Sequence, residues 1–422
     1  MKLSTATQKP WYKWCVAVGC FLMIFLGLGF CASNKSLYLG AITSALDFER
    51  SIFSLQDTIR YVVMVVINIF FGSLLSKFGA RFMACIGFIG YAVYLGISVF
   101  ADSLILFYVA GIALGVGQSF ASTAMVSYLV NLWFPEKRGT VSGVILCANG
   151  LGGALSAQII SPLISADAFG YRRAYALAFA VCVITGVLVT ILLTEPKGAT
   201  RTVAKKKPKG KQWVGISFRE AVRKPYFYGA LIGVFLTGVA LQGIHGVAAT
   251  HMKDTGMDAG YVATVLSVAS LVLTGSKFLA GFGYDKLGLR RVMAFCEICG
   301  CGAFVCLAFC GDSTFGRVMA MGYGVLSPLA MPLETIIVPL IAADLFGEKD
   351  FSKLLGIFVA VNYAGYGAGG YICNLIFDLV GSYVPVLLAM SAVMLAVVLA
   401  YQFVISAADK VHKQVMAQQV SE

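Results

Sequence analysis

Charged residues are scarce in this chain. Of 422 residues only 12% are Asp, Glu, Lys or Arg and only three are His, whereas 59% are hydrophobic and the mean hydropathy is +0.85. A soluble globular domain carries about 25% charged residues, so this composition excludes an ordinary cytosolic protein. The histidines are scattered, and the sequence has no nucleophile–base set or phosphate-binding loop. We therefore expect neither an enzyme nor a cofactor.

Cysteine is present, with twelve residues, but its pattern does not predict a metal centre. Cys296, Cys299 and Cys301 have a spacing that metal sites use, yet they lie in an apolar run with no histidine nearby. We interpret the cysteines as small, reduced packing residues and expect no metal site.

Long apolar runs take up most of the chain. Runs of about 20 apolar residues mark helices that span a bilayer, and the sequence contains six in each half. The first run is too long for the hydrophobic region of a signal peptide and lacks a convincing cleavage site, so we interpret it as the first span. The twelve predicted spans are 14–34, 51–75, 83–101, 104–130, 140–163, 173–193, 226–249, 260–284, 291–310, 316–342, 354–378 and 383–406.

Basic residues fix the predicted orientation. Of the 32 Lys and Arg, 24 fall on the side of the two termini, six fall on the other side, and Arg60 and Lys277 lie within spans. The positive-inside rule therefore places both termini in the cytoplasm, in an inner or plasma membrane. This bias explains the net charge of +12 without nucleic acid, for which the chain has no groove-reading motif. The expected partner is the lipid bilayer.

A basic segment separates the two halves. Residues 195–225 contain a lysine-rich stretch that we interpret as a cytoplasmic tether, able to touch anionic lipid. The predicted organisation is an N-terminal six-helix bundle at 1–194, this linker, a C-terminal six-helix bundle at 226–406 and a cytoplasmic tail at 407–422.

Three phrases occur twice, in the same order in each half. Six spans per half make the two copies parallel repeats, and transporter folds are often built from such repeats. The pairs are Gly72 to Arg81 with Gly281 to Arg291, Phe134 to Lys137 with Phe346 to Lys349, and Gly143-x5-Asn149 with Gly356-x5-Asn362, at offsets of 209, 212 and 213.

The first of these phrases resembles the loop signature of the major facilitator superfamily. Its first copy has Ser76 where the family has an acid and Phe82 where it has a base. The resemblance implies the major facilitator fold, an all-α membrane protein with twelve transmembrane helices in two parallel six-helix repeats. The residues that match are Gly72, Lys77, Gly79 and Arg81 in the first copy, and Gly281, Asp285, Lys286, Gly288, Arg290 and Arg291 in the second.

The phrase also has a physical interpretation of its own. An acid is favoured near a helix N-terminus, so Asp285 with Arg290 and Arg291 can form a charge network that latches the halves in one state. We expect a weaker latch in the first half, because Ser76 cannot replace the carboxylate. The alternative is that these cations only set the topology.

A narrower resemblance concerns the substrate. The phrase from Asn131 to Gly143 is similar to the loop between spans 4 and 5 in the monocarboxylate porter and oxalate/formate antiporter branch. Lys35 stands where animal monocarboxylate carriers have a lysine that serves substrate and proton, and Lys277 stands where both groups have a substrate-binding arginine. Leu273 replaces the aspartate that the animal carriers place one turn earlier.

The repeat relates the polar residues inside the spans in pairs. Asn68 corresponds to Lys277, and Asn149 corresponds to Asn362. These four residues are predicted to converge on an anion-binding site at the midplane between the repeats. The oxalate antiporter has a second cation at the position of Asn362, so its absence here argues against a small dicarboxylate held at both ends.

The buried cations each have two interpretations. A cation in a span costs about 2.5–3.5 kcal/mol on insertion scales, so Lys277 either binds substrate in a cavity or pairs with Glu297 or Glu334. Lys35 either binds substrate or extends to the interface. Arg60 either forms a self-contained pair with Asp57, three residues before it, or meets the substrate.

The candidates for proton coupling also have more than one interpretation. Asp57 or Glu334 takes the proton if Arg60 meets the substrate, and Glu334 stands between two prolines that bend its helix. Glu297 is either a proton carrier or buried structure. His245 is either a packing residue or a proton relay.

Together these features predict a secondary transporter that moves a small organic anion, most simply a monocarboxylate, by alternating access. Lys277, with Lys35 or Arg60, would attract the carboxylate, and Asn149 and Asn362 would hydrogen-bond it. Coupling is to a proton by symport or to a counter-anion by exchange, with symport slightly favoured, and a single chain is the expected functional unit. Two alternatives stay open: an efflux or neutral-solute carrier of the same fold, and a transporter-like ligand sensor.

Overall fold

The computed structural model describes residues 11–134, 138–195, 216–347 and 350–421, and in these ranges the chain is helical with no strand. A π-helical segment, Phe25–Phe30, follows the first helix. The helices are α1 (Tyr12–Ile24), α2 (Lys35–Leu46), α3 (Arg50–Phe78), α4 (Ala80–Phe100), α5 (Leu104–Phe120), α6 (Thr123–Trp133), α7 (Arg138–Ser165), α8 (Gly170–Leu192), α9 (Phe218–Ala221), α10 (Pro225–Asp254), α11 (Ala259–Leu287), α12 (Leu289–Ala308), α13 (Thr314–Ala330), α14 (Pro332–Thr335), α15 (Ile337–Phe346), α16 (Phe351–Val380) and α17 (Val384–Ser421).

Over the described ranges, ten helices are long and apolar enough to cross a membrane. The stretch from α13 to α15, bent by 46°, makes an eleventh if it is one span. The predicted span 354–378 lies in α16, whose 30 residues are long enough but not apolar enough to join that count. The all-α membrane fold is confirmed, with the eleventh predicted span, 354–378, present as this more polar helix.

The first predicted span differs from the structure. It was predicted to end at 34, but after the π-helical segment and a turn the chain continues as α2 to Leu46. The polar residues around Asn34 end the apolar run, yet they are satisfied inside the protein, because the Asn34 amide donates to Gly153 O at 2.8 Å and to Ser156 Oγ. Lys35 is therefore the first residue of a further helix, α2, and does not lie at the end of the first span as predicted.

The tenth predicted span is broken at Ile336, between α14 and α15. Pro339 has no N–H to donate to the carbonyl four residues earlier, so an uninterrupted helix would lose a hydrogen bond there. The sequence placed Glu334 beside these prolines, and the structure puts it in the short helix α14 just before the break.

Glycines let pairs of helices approach closely in both parts of the chain. A Cβ added at Gly111 or Gly115 of α5 would lie 2.6 Å from Gln56 O or 2.8 Å from Arg60 O of α3. One added at Gly365 of α16 would lie 2.5 Å from Phe235 O of α10. Small residues at helix interfaces allow this kind of contact between backbones in membranes.

The sequence repeat is also a structural repeat. Helices α3 and α11 each have 29 residues, and α5 and α13 each have 17. The second glycine of the repeated phrase separates two helices in both copies, at Gly79 with φ 80° and at Gly288 with φ 76°. Only glycine adopts this backbone region without strain.

The chain forms two compact units. The first comprises residues 1–204 with 249–274, and the second comprises 205–248 with 275–422. This division differs from the predicted boundary at the linker, because the end of α10 and the first part of α11 belong to the first unit. Residues 196–215 of the predicted linker lie outside the described residues.

Within the first unit, residues 249–274 are held by polar contacts at the end of the helices opposite the repeated phrase. The Arg50 guanidinium donates twice to the Asp254 carboxylate, once at 3.1 Å. Thr250 Oγ1 donates to Ser36 O at 2.7 Å, and Ser161 Oγ donates to Ala259 O at 3.0 Å.

Candidate functional site

The first unit contains a cluster of three charged residues, Lys35, Asp57 and Arg60. The Lys35 ammonium contacts Asp57 Oδ1, and Arg60 Nε lies 3.2 Å from the same oxygen. The side chains of Lys35 and Arg60 are 16% and 7% exposed, and that of Asp57 is 35% exposed. Two cations thus share one carboxylate, and the cluster carries one excess positive charge.

Three helices position this cluster. Lys35 is the first residue of α2, where the partial charge of the helix end is also positive. Asp57 and Arg60 are three apart on one face of α3, and Gln118 reaches them from α5, where its Oε1 accepts a hydrogen bond from Arg60 Nη1 at 2.9 Å. The close packing of α5 on α3 at Gly115 brings these two side chains together.

The Asp57–Arg60 pair is therefore not self-contained. Lys35 shares the carboxylate of Asp57. Arg60 also stacks on Tyr61, with its guanidinium carbon 4.0 Å from the ring centroid. Its Nε makes an ionic contact with Asp57 but no hydrogen bond.

Buried tyrosines stand beside the cluster. The rings of Tyr38 and Tyr175 stack at 4.3 Å, and Tyr94 meets Tyr175 edge-on at 6.0 Å. Lys35 Nζ lies 6.0 Å from the centroid of the Tyr94 ring, a distance at which an aromatic face attracts a cation. The Tyr94 ring therefore adds a cation–π contact to the surroundings of Lys35.

The second unit contains another polar cluster, centred on Glu334. Gln242 Nε2 donates to Glu334 Oε2 at 2.7 Å, whereas Glu334 Oε1 is buried without a hydrogen-bond partner. The Lys277 ammonium and the Glu334 carboxylate also interact electrostatically. Glu334, with 7% exposure, is thus a buried acid that is only half satisfied.

Asn362 and Tyr366 stabilise the helix break beside Glu334. Asn362 Nδ2 donates to the backbone oxygen of Glu334 at 3.1 Å and to the Tyr366 hydroxyl at 2.8 Å. The Tyr366 hydroxyl donates to the same backbone oxygen at 3.2 Å. Neighbouring helices commonly satisfy backbone groups that are left open at a break in a membrane helix. Both N–H groups of Asn362 are used here, and its role toward substrate stays a prediction.

The other predicted polar residues have partners in their own surroundings. Asn68 Nδ2 donates to Met64 O of its own helix at 2.7 Å, and Asn149 Oδ1 accepts from Ser33 Oγ at 3.3 Å. His245 Nε2 lies 3.3 Å from Ser327 Oγ. Their convergence with Lys277 stays a prediction.

The repeated phrase makes different contacts in its two copies. In the second, Arg290 Nε donates to Gln402 Oε1 of α17 at 2.8 Å, and Lys286 lies over the Phe282 ring. The side chain of Asp285 lies outside the described part of the chain. In the first copy, the Ala80 N–H at the start of α4 donates to Glu195 Oε1 at 2.7 Å. An acid thus does stand at this helix N-terminus, although Ser76 is not one.

Three residues that contact the candidate site or the repeated phrase could not be identified from the sequence: Gln118, Gln242 and Glu195. The two glutamines are single amides in apolar helices, and no periodicity distinguishes them. Glu195 follows the sixth predicted span, and its link to the phrase at Gly79 depends on packing that the sequence does not encode locally.

The cysteines are free thiols. Across residues 11–134, 138–195, 216–347 and 350–421, no group of three or more His, Cys, Asp or Glu side chains is arranged to hold a metal ion.

Solved structures and sequence relatives match this architecture. The crystal structure of a mutant of the nucleoside transporter NupG superposes with a TM-score of 0.79 at 12% identity, covering 92% of this chain and 99% of that one. The sialic acid transporter NanX of Escherichia coli (strain K12) is 24% identical over 249 residues, 56% of this chain and 57% of its own length. The chain thus matches little more than half of that relative.

The oxalate:formate antiporter of Oxalobacter formigenes is 23% identical over 269 residues, which are 63% of this chain and 60% of its own length. The family model of the Major Facilitator Superfamily matches residues 19–340 and 247–419. This match, with the repeated helices and the apolar spans, shows that the chain belongs to the Major Facilitator Superfamily and is a multi-pass membrane protein of the secondary-transporter type.

Proposed function

We propose that this protein moves a small organic anion, most simply a monocarboxylate, by alternating access, with proton symport. The observation that carries the proposal is the excess positive charge of the Lys35–Asp57–Arg60 cluster. An unbalanced cation within membrane-spanning helices is unfavourable. A carboxylate substrate would supply the missing negative charge, and Gln118 fixes the guanidinium that would meet it.

The relatives support an acidic substrate. One is named for sialic acid and another for oxalate and formate, and these compounds share a carboxylate. The shared chemistry favours an anion over a neutral solute for the present chain.

The pair of Lys277 and Glu334 offers a route for coupling to a proton. While Glu334 is ionised, its charge offsets that of Lys277. A proton on Glu334 would remove this counter-charge and free the ammonium to attract a carboxylate. Proton and anion would then bind together and move together. We place both termini in the cytoplasm and the protein in the cell membrane on the charge bias of the loops.

The test is uptake of radiolabelled lactate, formate, oxalate and N-acetylneuraminate into proteoliposomes with and without an inward proton gradient. We expect gradient-driven uptake of one acid, competition by that acid but not by its neutral amide, and loss of uptake in Lys277→Ala. Lys35→Gln should raise the KM at least ten-fold. Lys410→Ala, at an exposed lysine of α17, is the matched control and should transport normally.

Three results would change the proposal. Uptake only against preloaded anion would replace symport by exchange. Equal competition by the neutral amide would favour a neutral-solute carrier. Unimpaired uptake in both Lys277→Ala and Lys35→Gln would remove the carboxylate anchor altogether.

A further inference from the structure

A second buried acid lies in a small pocket inside the second unit. Helices α10, α12, α14, α15 and α17 enclose this pocket, and its polar lining consists of Thr237, Glu297 and Tyr401. The remaining lining side chains are apolar and include Leu333 and Ile337. None of these residues belongs to the cluster of Lys35, Asp57 and Arg60 or to the cluster centred on Glu334.

Two of the three polar side chains of the pocket, Glu297 and Thr237, have no hydrogen-bond partner. Glu297 has 0% exposure, and neither of its carboxyl oxygens has a hydrogen-bond partner. Thr237 Oγ1 is also buried without a partner. The Tyr401 hydroxyl donates to Ala230 O at 3.2 Å and is therefore committed elsewhere.

The surroundings of Glu297 contain no compensating charge. In the part of the chain that the structure describes, no cation forms an ion pair with it. The titratable groups that interact with it are the thiols of Cys296 and Cys301 on its own helix and the phenol of Tyr401 on α17, all neutral when protonated. Of the elements around the pocket, α14 carries Glu334, an acid that pairs in charge with Lys277.

An ionised carboxylate is strongly disfavoured in such a place, because burying a charge requires a partner or hydrogen-bond donors. A neutral carboxyl needs far less, since it carries no charge and its single O–H can donate to a hydroxyl oxygen. We propose that Glu297 is an internal proton-binding site. The carboxylate takes up one proton from the aqueous phase and holds it as a neutral acid, and Thr237, which lines the same pocket and has no partner, turns to accept its O–H.

The position of the pocket connects this proton to the transport cycle. Leu333 and Ile337, which line it, flank Glu334 and the helix break at Ile336. A change in the bend between α14 and α15 would open the pocket to water, and water could then accept the proton and solvate the carboxylate. This last step rests on the proposed proton symport, whereas the proton site itself does not.

Infrared spectroscopy of the purified full-length protein tests the site without transport. We expect a C=O stretching band of a protonated carboxyl that shifts in D2O and is absent from Glu297→Gln. The matched variant Glu49→Gln, at an exposed carboxylate, should retain the band. Thr237→Val removes the proposed acceptor and should move the band to the frequency of a carboxyl that forms no hydrogen bond.

The contrary results are equally distinct. An unchanged carboxyl band in Glu297→Gln would overturn the proposal. If that variant does not fold, Thr237→Val decides instead, and a band that it leaves in place would have the same meaning.

The coupling step is tested by counting protons per substrate in proteoliposomes. Glu297→Gln should lower this ratio at least two-fold while exchange of anion for anion continues. An unchanged ratio in a variant that lacks the band would overturn the coupling role. If the wild-type protein transports none of the acids, the proposed function fails, and the infrared result still decides whether Glu297 binds a proton.

Discussion

At the scale of single residues, Asp57 supplies the negative charge of the cluster that it forms with Lys35 and Arg60. It is the carboxylate that Lys35 and Arg60 share, so its removal leaves two neighbouring cations without their counter-charge. The energetic consequence is moderated by solvent, because the Asp57 side chain is 35% exposed.

Asp57→Asn should therefore destabilise the protein by about 1–3 kcal/mol, less than the loss of a fully buried pair. A saturating substrate anion should restore more stability to this variant than to the wild type, since the anion replaces the lost charge. Thermal unfolding with and without the anion measures both effects. Equal stabilisation of the two proteins would show that the anion does not bind at this cluster.

Glu334 is one of the two acids on which the proposed symport depends, the other being Glu297. Glu334→Gln keeps an oxygen for the Gln242 amide but cannot take up a proton, so Lys277 stays without a counter-charge at every pH. We expect the dependence of uptake on the proton gradient to weaken to the share that Glu297 contributes, while exchange against preloaded anion persists at a comparable rate. The pH profile of uptake between about 5 and 8 is the measurement, with Glu49→Gln as control. A pH profile equal to that of the wild type would assign coupling to another group.

Variants of Asn362 can distinguish a structural role of this residue from a role as a substrate ligand. Its amide donates to the backbone oxygen of Glu334 and to Tyr366, so Asn362→Leu should lower stability by about 1–3 kcal/mol. Tyr366→Phe removes a donor to the same oxygen, and the double variant should show non-additive losses. Calorimetry of the four proteins checks this. A raised KM with unchanged stability would instead make Asn362 a substrate ligand.

At the scale of elements, helix contacts through glycine determine where the functional side chains lie. Helix α5 approaches the backbone of α3 at Arg60 because Gly115 has no side chain. Gln118 on the same helix then reaches the guanidinium. The geometry of the cluster thus depends on a residue that takes no part in it.

Gly115→Ala places a Cβ 2.8 Å from Arg60 O, so the two helices must separate. We expect a loss of about 1–3 kcal/mol in stability together with weaker anion binding, because Gln118 moves away from Arg60. Gly143→Ala is the matched control, since a Cβ there meets nothing within 4 Å. Thermal unfolding and anion titration of both variants compare the effects. Equal behaviour would mean that α5 can shift without disturbing the cluster.

The sequence predicted helices better than it predicted their interruptions. Apolar runs located the membrane-spanning helices because crossing the hydrocarbon core requires about 20 consecutive apolar residues. The turn before Lys35 was missed, because the contact of Asn34 with Gly153 that stabilises it joins residues 119 apart. The bend near Glu334 was anticipated from its prolines, whereas the donors that satisfy it, Asn362 and Tyr366, come from another helix.

The same limit applies to the candidate site. Lys35, Asp57 and Arg60 were each identified as charges in or beside apolar runs, but only Asp57 and Arg60 are close enough in sequence to be paired. That Lys35 shares their carboxylate depends on how α2 packs on α3. The repeat predicted which residues of the two halves correspond to each other. It could not predict contacts with residues that occur in one half only.

At the scale of the whole molecule, the compact units do not coincide with the sequence repeats. Residues 249–274 come from the second repeat but belong to the first unit. The ion pair between Arg50 and Asp254 lies in this region, at the end of the helices opposite the repeated phrase. Any conformation in which residues 249–274 leave the first unit must break this pair.

The Arg50–Asp254 pair should therefore favour the conformation seen here. Its two hydrogen bonds and the low exposure of both side chains, 13% and 32%, place it above the usual surface ion pair, at about 1 kcal/mol. Asp254→Asn should then increase the equilibrium constant for residues 249–274 leaving the first unit roughly five-fold, because about 1.4 kcal/mol is a factor of ten. Hydrogen exchange measured by mass spectrometry should become faster in peptides around residues 45–52 and 249–262.

The exchanged pair tests whether charge is the cause. Arg50→Asp combined with Asp254→Arg restores opposite charges and should return exchange toward the wild-type rate. Asp312→Asn removes a comparable ion pair with Arg317 at 2.8 Å and should leave these peptides unchanged. If Asp254→Asn does not accelerate exchange, the hydrogen bonds of Thr250 and Ser161 hold residues 249–274 without help from the ion pair. If the exchanged pair does not restore protection from hydrogen exchange, the two hydrogen bonds of Arg50 matter more than the opposite charges. The exchanged pair keeps the opposite charges and loses only the geometry of those two bonds.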